Sequence, residues 1–283
     1  MSDRWYLGDP AECPHQPGLA RIPWTDMPAR DELGEIRKLT LRPSPSQLLP
    51  AVLPEWIAEL PACRELVVPL LYLPTLRADR LPVGLDALVF DADYRWRESA
   101  TPRWPSALIL PELRELGFHG HMLGAPEGLR AEHVPALERL AASLDDKADL
   151  IDRIVAFPRL RALDLANLGV HDVFESLDGA IEALTLRGGG RRFPFDAIRR
   201  WPTIERLELV GMQGEVDCAV LSELPELAEL GLRHCKKLVE LEALLDCPRL
   251  RALAVAACGR PFTPALRQAF AEHGFDQLEI DRA

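Results

Sequence analysis

Residues 204–209 read Ile-Glu-Arg-Leu-Glu-Leu: an apolar residue, two variable ones, Leu, one variable residue, then another apolar residue. The same phrase returns as LAELGL at 227–232, LRALAV at 250–255 and FDQLEI at 275–280. The starts lie 23, 23 and 25 positions apart. A pattern repeating every 20–29 residues or so marks short supersecondary units that bury their apolar sides by stacking.

Followed backwards, the phrase recurs as IEALTL at 181–186, LRALDL at 160–165, LERLAA at 137–142 and LRELGF at 113–118. It continues as LDALVF at 85–90, CRELVV at 63–68 and IRKLTL at 36–41, which makes eleven units. Seven of the phrases follow a proline, at positions 61, 111, 135, 158, 202, 225 and 248. Proline stops whatever helix precedes it and admits an extended segment. The apolar–x–apolar step that follows has the two-residue period of a strand with one buried face. Between these strands, residues 145–156, 238–245 and 264–272 read as amphipathic helices. The last has Thr263 as N-cap and Pro264 at its first position.

On these residues the chain resembles the leucine-rich repeat family. The family's longer phrase, LxxLxLxxN/CxL, is matched most fully by Leu227, Leu230, Leu232, Cys235 and Leu238. Cys258 takes the Asn/Cys place in the next unit, after Leu250, Leu253 and Val255. Elsewhere His121, Leu168, Gly189 and Met212 occupy that place and depart from the pattern. The resemblance implies an α/β solenoid, a horseshoe of about eleven repeats with a parallel sheet on the concave face and helices on the convex face. Residues 1–35 are then expected to form an N-terminal cap, residues 36–262 the repeats, and residues 263–283 a capping helix with the last strand.

Composition restricts function more than it defines it. The formal net charge is −11, and no basic block is present, so binding to nucleic acid phosphates is disfavoured. An acidic surface suits a basic protein partner. Of the 33 basic residues four are lysine, leaving 29 arginines, the bias of a GC-rich genome; a bacterial source is expected. Six cysteines without a CxxC pair do not make a disulfide framework. No signal-peptide core and no run of membrane-spanning length is present, so a cytoplasmic location without membrane contact is expected.

Chemistry finds little support. His119 and His121 form an HxH pair, but no third ligand is fixed by spacing. Gly188, Gly189 and Gly190 with Arg191 and Arg192 could hold an anion, yet they lie where a repeat must turn. Cys235 and Cys258 fit ladder positions better than a metal or redox site. Neither a catalytic residue, a metal nor a cofactor is therefore expected. An enzyme with a pocket near the Tyr94–His121 region stays as the alternative from a different class.

The variable places of the phrase remain, because they alternate with the buried ones and face the concave side. Units six to nine place Asp164, Arg187, Arg206, Glu208, Glu229 and Arg233 on one surface, with small residues along its centre. These six are the expected contacts for a protein partner; the competing reading is that they pair with one another across the strands. The longer unit holding Tyr94, Trp96 and Trp104 is a second candidate, as a projecting aromatic loop. The expected function is a non-catalytic protein-interaction module or scaffold, with an inhibitor or immunity-type protein for a basic partner as the alternative.

Overall fold

In a computed structural model of the chain, the described residues are 4–8, 19–22, 33–42, 52–91, 102–119, 125–144, 156–170, 172–175, 181–259 and 262–281. The chain divides into two compact units, Met1–Ala142 with Phe157–Arg159, and Ser143–Ala156 with Leu160–Ala283.

The first unit carries β1 (Arg4–Gly8), β2 (Leu19–Ile22), β3 (Lys38–Arg42), β4 (Glu65–Pro69), β5 (Ala87–Asp91), β6 (Glu115–His119) and β7 (Arg139–Ser143). They lie in the order β2-β1-β3-β4-β5-β6-β7, and the neighbours pair in parallel. The second unit carries β8 (Ala162–Ala166), β9 (Ala183–Arg187), β10 (Arg206–Val210), β11 (Glu215–Asp217), β12 (Glu229–Arg233), β13 (Lys237–Val239), β14 (Ala252–Ala256) and β15 (Gln277–Ile280). Its main sheet runs β8-β9-β10-β12-β14-β15, again parallel, while β11 and β13 form a separate parallel pair.

Each of the eleven phrases therefore carries a strand. The register explains why. Leu163, Leu184, Leu207, Leu230, Leu253 and Leu278 stand side by side in the second unit, as do Leu39, Leu66, Leu88, Leu116 and Leu140 in the first. All of these except Leu278 are buried. At about 1.5–3 kcal/mol for each buried Leu side chain, this column favours one register and penalises a slip of one residue, which would turn every Leu outward. The fold is of the leucine-rich-repeat type.

Two features go beyond what the repeated phrase shows. Residues 1–35 lack the phrase, yet β1 and β2 extend the parallel sheet into that segment. The connections opposite the sheet are also tighter than expected: most are 3-10 turns, at Glu55–Glu59, Leu70–Thr75, Phe195–Arg200 and Leu241–Asp246 among others. Among the described residues, α-helix is confined to α1 (Cys218–Ser222) and α2 (Pro264–Glu272). A coil near 23 residues leaves little room once strand and turns are built, and 3-10 backbone spans a gap with fewer residues than α-helix. Proline precedes three of these turns, at Pro54, Pro69 and Pro194. Residues 238–245 are accordingly not one helix but the end of β13, then Glu240 at φ 50°, then the 3-10 turn. The helix expected at 264–272 is present, with the Thr263 hydroxyl accepting from Leu266 N–H at 3.2 Å. Residues 145–155 lie outside those described.

The coils of the second unit are also joined beyond their strands. The residue after β8, β9, β10, β12 and β14 sits in the left-handed region: Asn167, Gly188, Gly211, His234 and Ala257, with φ between 52° and 75°. For three of them the N–H turns to the next coil. Gly188 donates to Val210 O (2.9 Å), Gly211 to Arg233 O (2.8 Å) and His234 to Ala256 O (3.0 Å). The Ala257 N–H goes instead to the Asp281 carboxylate at 2.9 Å, while the Asp281 backbone oxygen accepts from Arg267 Nη2 at 2.8 Å. Asp281 thus supplies from a side chain what Gly188, Gly211 and His234 find on the backbone of the next coil. Changing Asp281→Ala is expected to cost about 1 kcal/mol in chemical denaturation, with amide exchange accelerated first at Ala257.

Candidate interaction surface

Because side chains alternate along a strand, the residues between the buried Leu places emerge on the opposite, open face of the sheet. Register then sets them in three columns in the second unit. The first holds Ala162, Ala183, Arg206, Glu229, Ala252 and Gln277. The second holds Asp164, Thr185, Glu208, Gly231, Ala254 and Glu279, and the third holds Arg187, Val210, Arg233 and Ala256. All six residues expected from the sequence are thereby on one face of one sheet.

Their charges are not equally available. Arg187 makes a two-pronged contact with Asp164, Nε to Oδ1 at 2.8 Å and Nη2 to Oδ2 at 2.9 Å. That contact, followed by the nearby Glu208 charge, raises the Arg187 pKa further above its ordinary value. Arg233 Nε lies 3.1 Å from Glu208 Oε1, and Arg251 Nη2 lies 3.5 Å from Glu229 Oε1. Cross-strand pairing therefore holds Asp164, Arg187, Glu208, Glu229 and Arg233. Arg206, exposed on β10, forms no ion pair among the described residues. These contacts are partly exposed, so each is worth at most about 1 kcal/mol to the fold.

On the first unit the open face is neutralised in the same way. Lys38 pairs with Glu65, Arg139 with Glu115 at 3.0 Å, and Arg42 reaches across β4 to Asp91 at 2.5 Å. His119 is exposed at the end of β6, and His121 lies outside the described residues. Trp104 packs inward rather than projecting. It is 2 % exposed, its Nε1 donates to Leu108 O at 3.0 Å, and its ring meets Phe90 edge-on at 6.3 Å. The indole has a backbone acceptor four residues on, which spacing alone does not disclose. Tyr94 and Trp96 lie outside the described residues.

The glycine run is a turn, and two of its three amides are already used. Gly188 N–H donates to Val210 O, and Gly190 N–H donates to Gly169 O at 2.6 Å. Gly189 lacks a side chain because Met212 of the next coil fills that space; a Cβ there would meet Met212 Cε at 2.4 Å.

Cys235 and Cys258 serve the ladder. Cys235 Sγ donates toward Leu209 O and Arg233 O at 3.5 Å, while its backbone N–H donates to Cys258 Sγ at 3.4 Å. Cys258 Sγ in turn donates to Ala256 O at 3.3 Å and Leu232 O at 3.4 Å. Burial pushes the thiols of Cys63, Cys218 and Cys235 up to about 12 and that of Cys247 up to about 11. The thiolate is the reactive form, so these four are expected to resist alkylation in the folded protein at neutral pH. Mass spectrometry after native and denatured labelling checks this, with all four becoming reactive once the chain unfolds. Among the described residues no three His, Cys, Asp or Glu side chains are grouped to hold a metal ion, and no helix is long and apolar enough to cross a membrane.

No protein-family model matches the chain, and no curated protein matches it. Solved structures similar to it include an internalin from Listeria monocytogenes, at 13 % identity and TM-score 0.45, covering 94 % of this chain and 81 % of that one. Another is a leucine-rich-repeat protein from Leptospira interrogans, at 14 % identity and TM-score 0.36, covering 89 % of this chain and 72 % of that one.

Proposed function

We propose that the chain is a protein-interaction module that binds a partner on the open sheet face of its second unit. The observation that carries this reading is the register. Five parallel strands hold Asp164, Arg187, Arg206, Glu208, Glu229 and Arg233 on one surface, with Gly231, Ala252, Ala254 and Ala256 beside them. Small residues let a partner's backbone approach, and fixed charges set its orientation. The ion pairs hold the long side chains in place before binding, which reduces the entropy lost when a partner docks.

The test is a steric block. Ala254→Trp places a large ring on the open face without touching the Leu column. Partners captured from the source organism and identified by mass spectrometry should be lost with Ala254→Trp, while circular dichroism and the unfolding midpoint stay unchanged. Partners that bind the blocked variant as well as the parent would remove this face from consideration. The net charge of −11 favours a basic partner for an inhibitor or immunity-type role. In that case affinity should fall steeply between low and physiological salt.

A further inference from the structure

The pattern of ion pairing across the open face points to the chemistry of the partner, given that this face is the binding surface. In the second unit three acid–base contacts, Asp164 with Arg187, Glu208 with Arg233 and Glu229 with Arg251, already satisfy six charges. Two exposed charges in the first and second columns are left over: Arg206 on β10 and Glu279 on β15. Neither has a salt bridge or a side-chain hydrogen bond among the described residues.

This difference decides where a partner gains free energy. A partner group that approaches Arg187 or Arg233 must replace a contact already made at 2.8–3.1 Å, so the exchange is close to balanced. A group of opposite sign at Arg206 or Glu279 adds a contact without breaking one. The two are separated by β12 and β14, which present Glu229, Gly231, Ala252 and Ala254 between them, with Glu229 opposite Arg206 in register and held by Arg251. Three strand spacings across and two residues along place their Cα atoms about 16 Å apart. Beyond Glu229, a floor of hydrogen atoms and methyl groups leads from β12 to Glu279.

We propose that the occupant is a protein segment lying across β10, β12, β14 and β15, with a carboxylate against Arg206 and a lysine or arginine against Glu279. The segment's polarity is fixed by these two ends. Arg187 and Arg233 keep the face ordered and contribute little to the choice of partner.

A displayed library of random peptides, panned against the full chain, tests this even while the natural partner is unidentified. Enriched peptides are expected to carry both an acidic and a basic residue. Arg206→Glu and Glu279→Lys should each weaken their binding about tenfold or more, and exchanging the matching peptide charge should restore it. The Ala254→Trp variant separates this inference from the reading it rests on. Peptides abolished by Ala254→Trp but indifferent to both charge reversals would overturn the assignment of the two charges and leave the face standing. Peptides indifferent to all three variants would overturn the face itself. Failure to enrich any peptide would overturn a short segment as the occupant. Unfolding midpoints of the variants, compared with the parent, exclude loss of fold as the cause.

Discussion

Replacing Leu230 by alanine is expected to cost about 2–5 kcal/mol of stability, read as a lower denaturant midpoint with an unchanged slope. Leu230 sits in the middle strand of the second unit's Leu column and is 2 % exposed. Its neighbours in register are Leu207 and Leu253, both also 2 % exposed. The loss has two parts, the transfer free energy of the removed carbons and the cavity that remains. Strand pairing on both sides keeps the backbone from closing over that cavity, so the upper half of the range applies. Stacked repeats couple mainly to their nearest neighbours. Amide protection should therefore fall most in β10, β12 and β14 and less in β8 and β9. A loss spread evenly over the second unit would show that it unfolds as one block instead.

Gly190→Ala is the second large effect, and it acts by crowding rather than by a void. A Cβ at Gly190 would lie 2.7 Å from Gly169 O, the atom that accepts the Gly190 N–H at 2.6 Å. Backbone must move to admit the methyl group, and the rung joining the two coils must lengthen. The expected cost is about 1–3 kcal/mol. Gly34→Ala provides the contrast, since nothing lies within 4 Å of a Cβ there. It should change stability by less than about 0.5 kcal/mol. Thermal melts of the two variants side by side check both values; equal effects would show that contact at Gly169 is not the cause.

Much of the fold is legible in the sequence because one interaction dominates it. The Leu, Ile and Val places of the phrase are the same places that stand in register, so periodicity in the chain is periodicity in space. The connections are less legible. Residues 238–245 have helical spacing, but Glu240 at φ 50° cannot continue a helix, and the coil has room only for a 3-10 turn. Local pattern gives no measure of that room. Likewise β1 and β2 join the sheet without the repeated phrase, so counting phrases cannot find them.

The surface divides in a similar way. Alternation is enough to put Asp164, Arg187, Arg206, Glu208, Glu229 and Arg233 on one face. It is not enough to tell paired charges from free ones, because pairing here runs diagonally. Asp164 stands opposite Thr185 and meets Arg187, two residues further along the neighbouring strand. Glu208 stands opposite Gly231 and meets Arg233 in the same way. Side-chain length and rotamer decide such contacts, and neither is written in the spacing. Trp104 illustrates the same limit, since its burial depends on the Leu108 carbonyl rather than on the aromatic cluster around it in the sequence.

The row of left-handed residues after the strands makes the length of this protein editable. Each of Gly188, Gly211 and His234 passes one N–H forward to the same place in the following coil, and those places are spaced by 23 residues. Duplicating residues 227–249 would give the added coil a donor to offer and an acceptor to receive, and Asp281 would still close the final rung. Duplicating one residue fewer would present a neighbour's side chain where a backbone oxygen is required. The chain can thus grow by whole coils but not by fractions of one, and a longer variant built on this unit should bring an additional set of open-face positions to write upon.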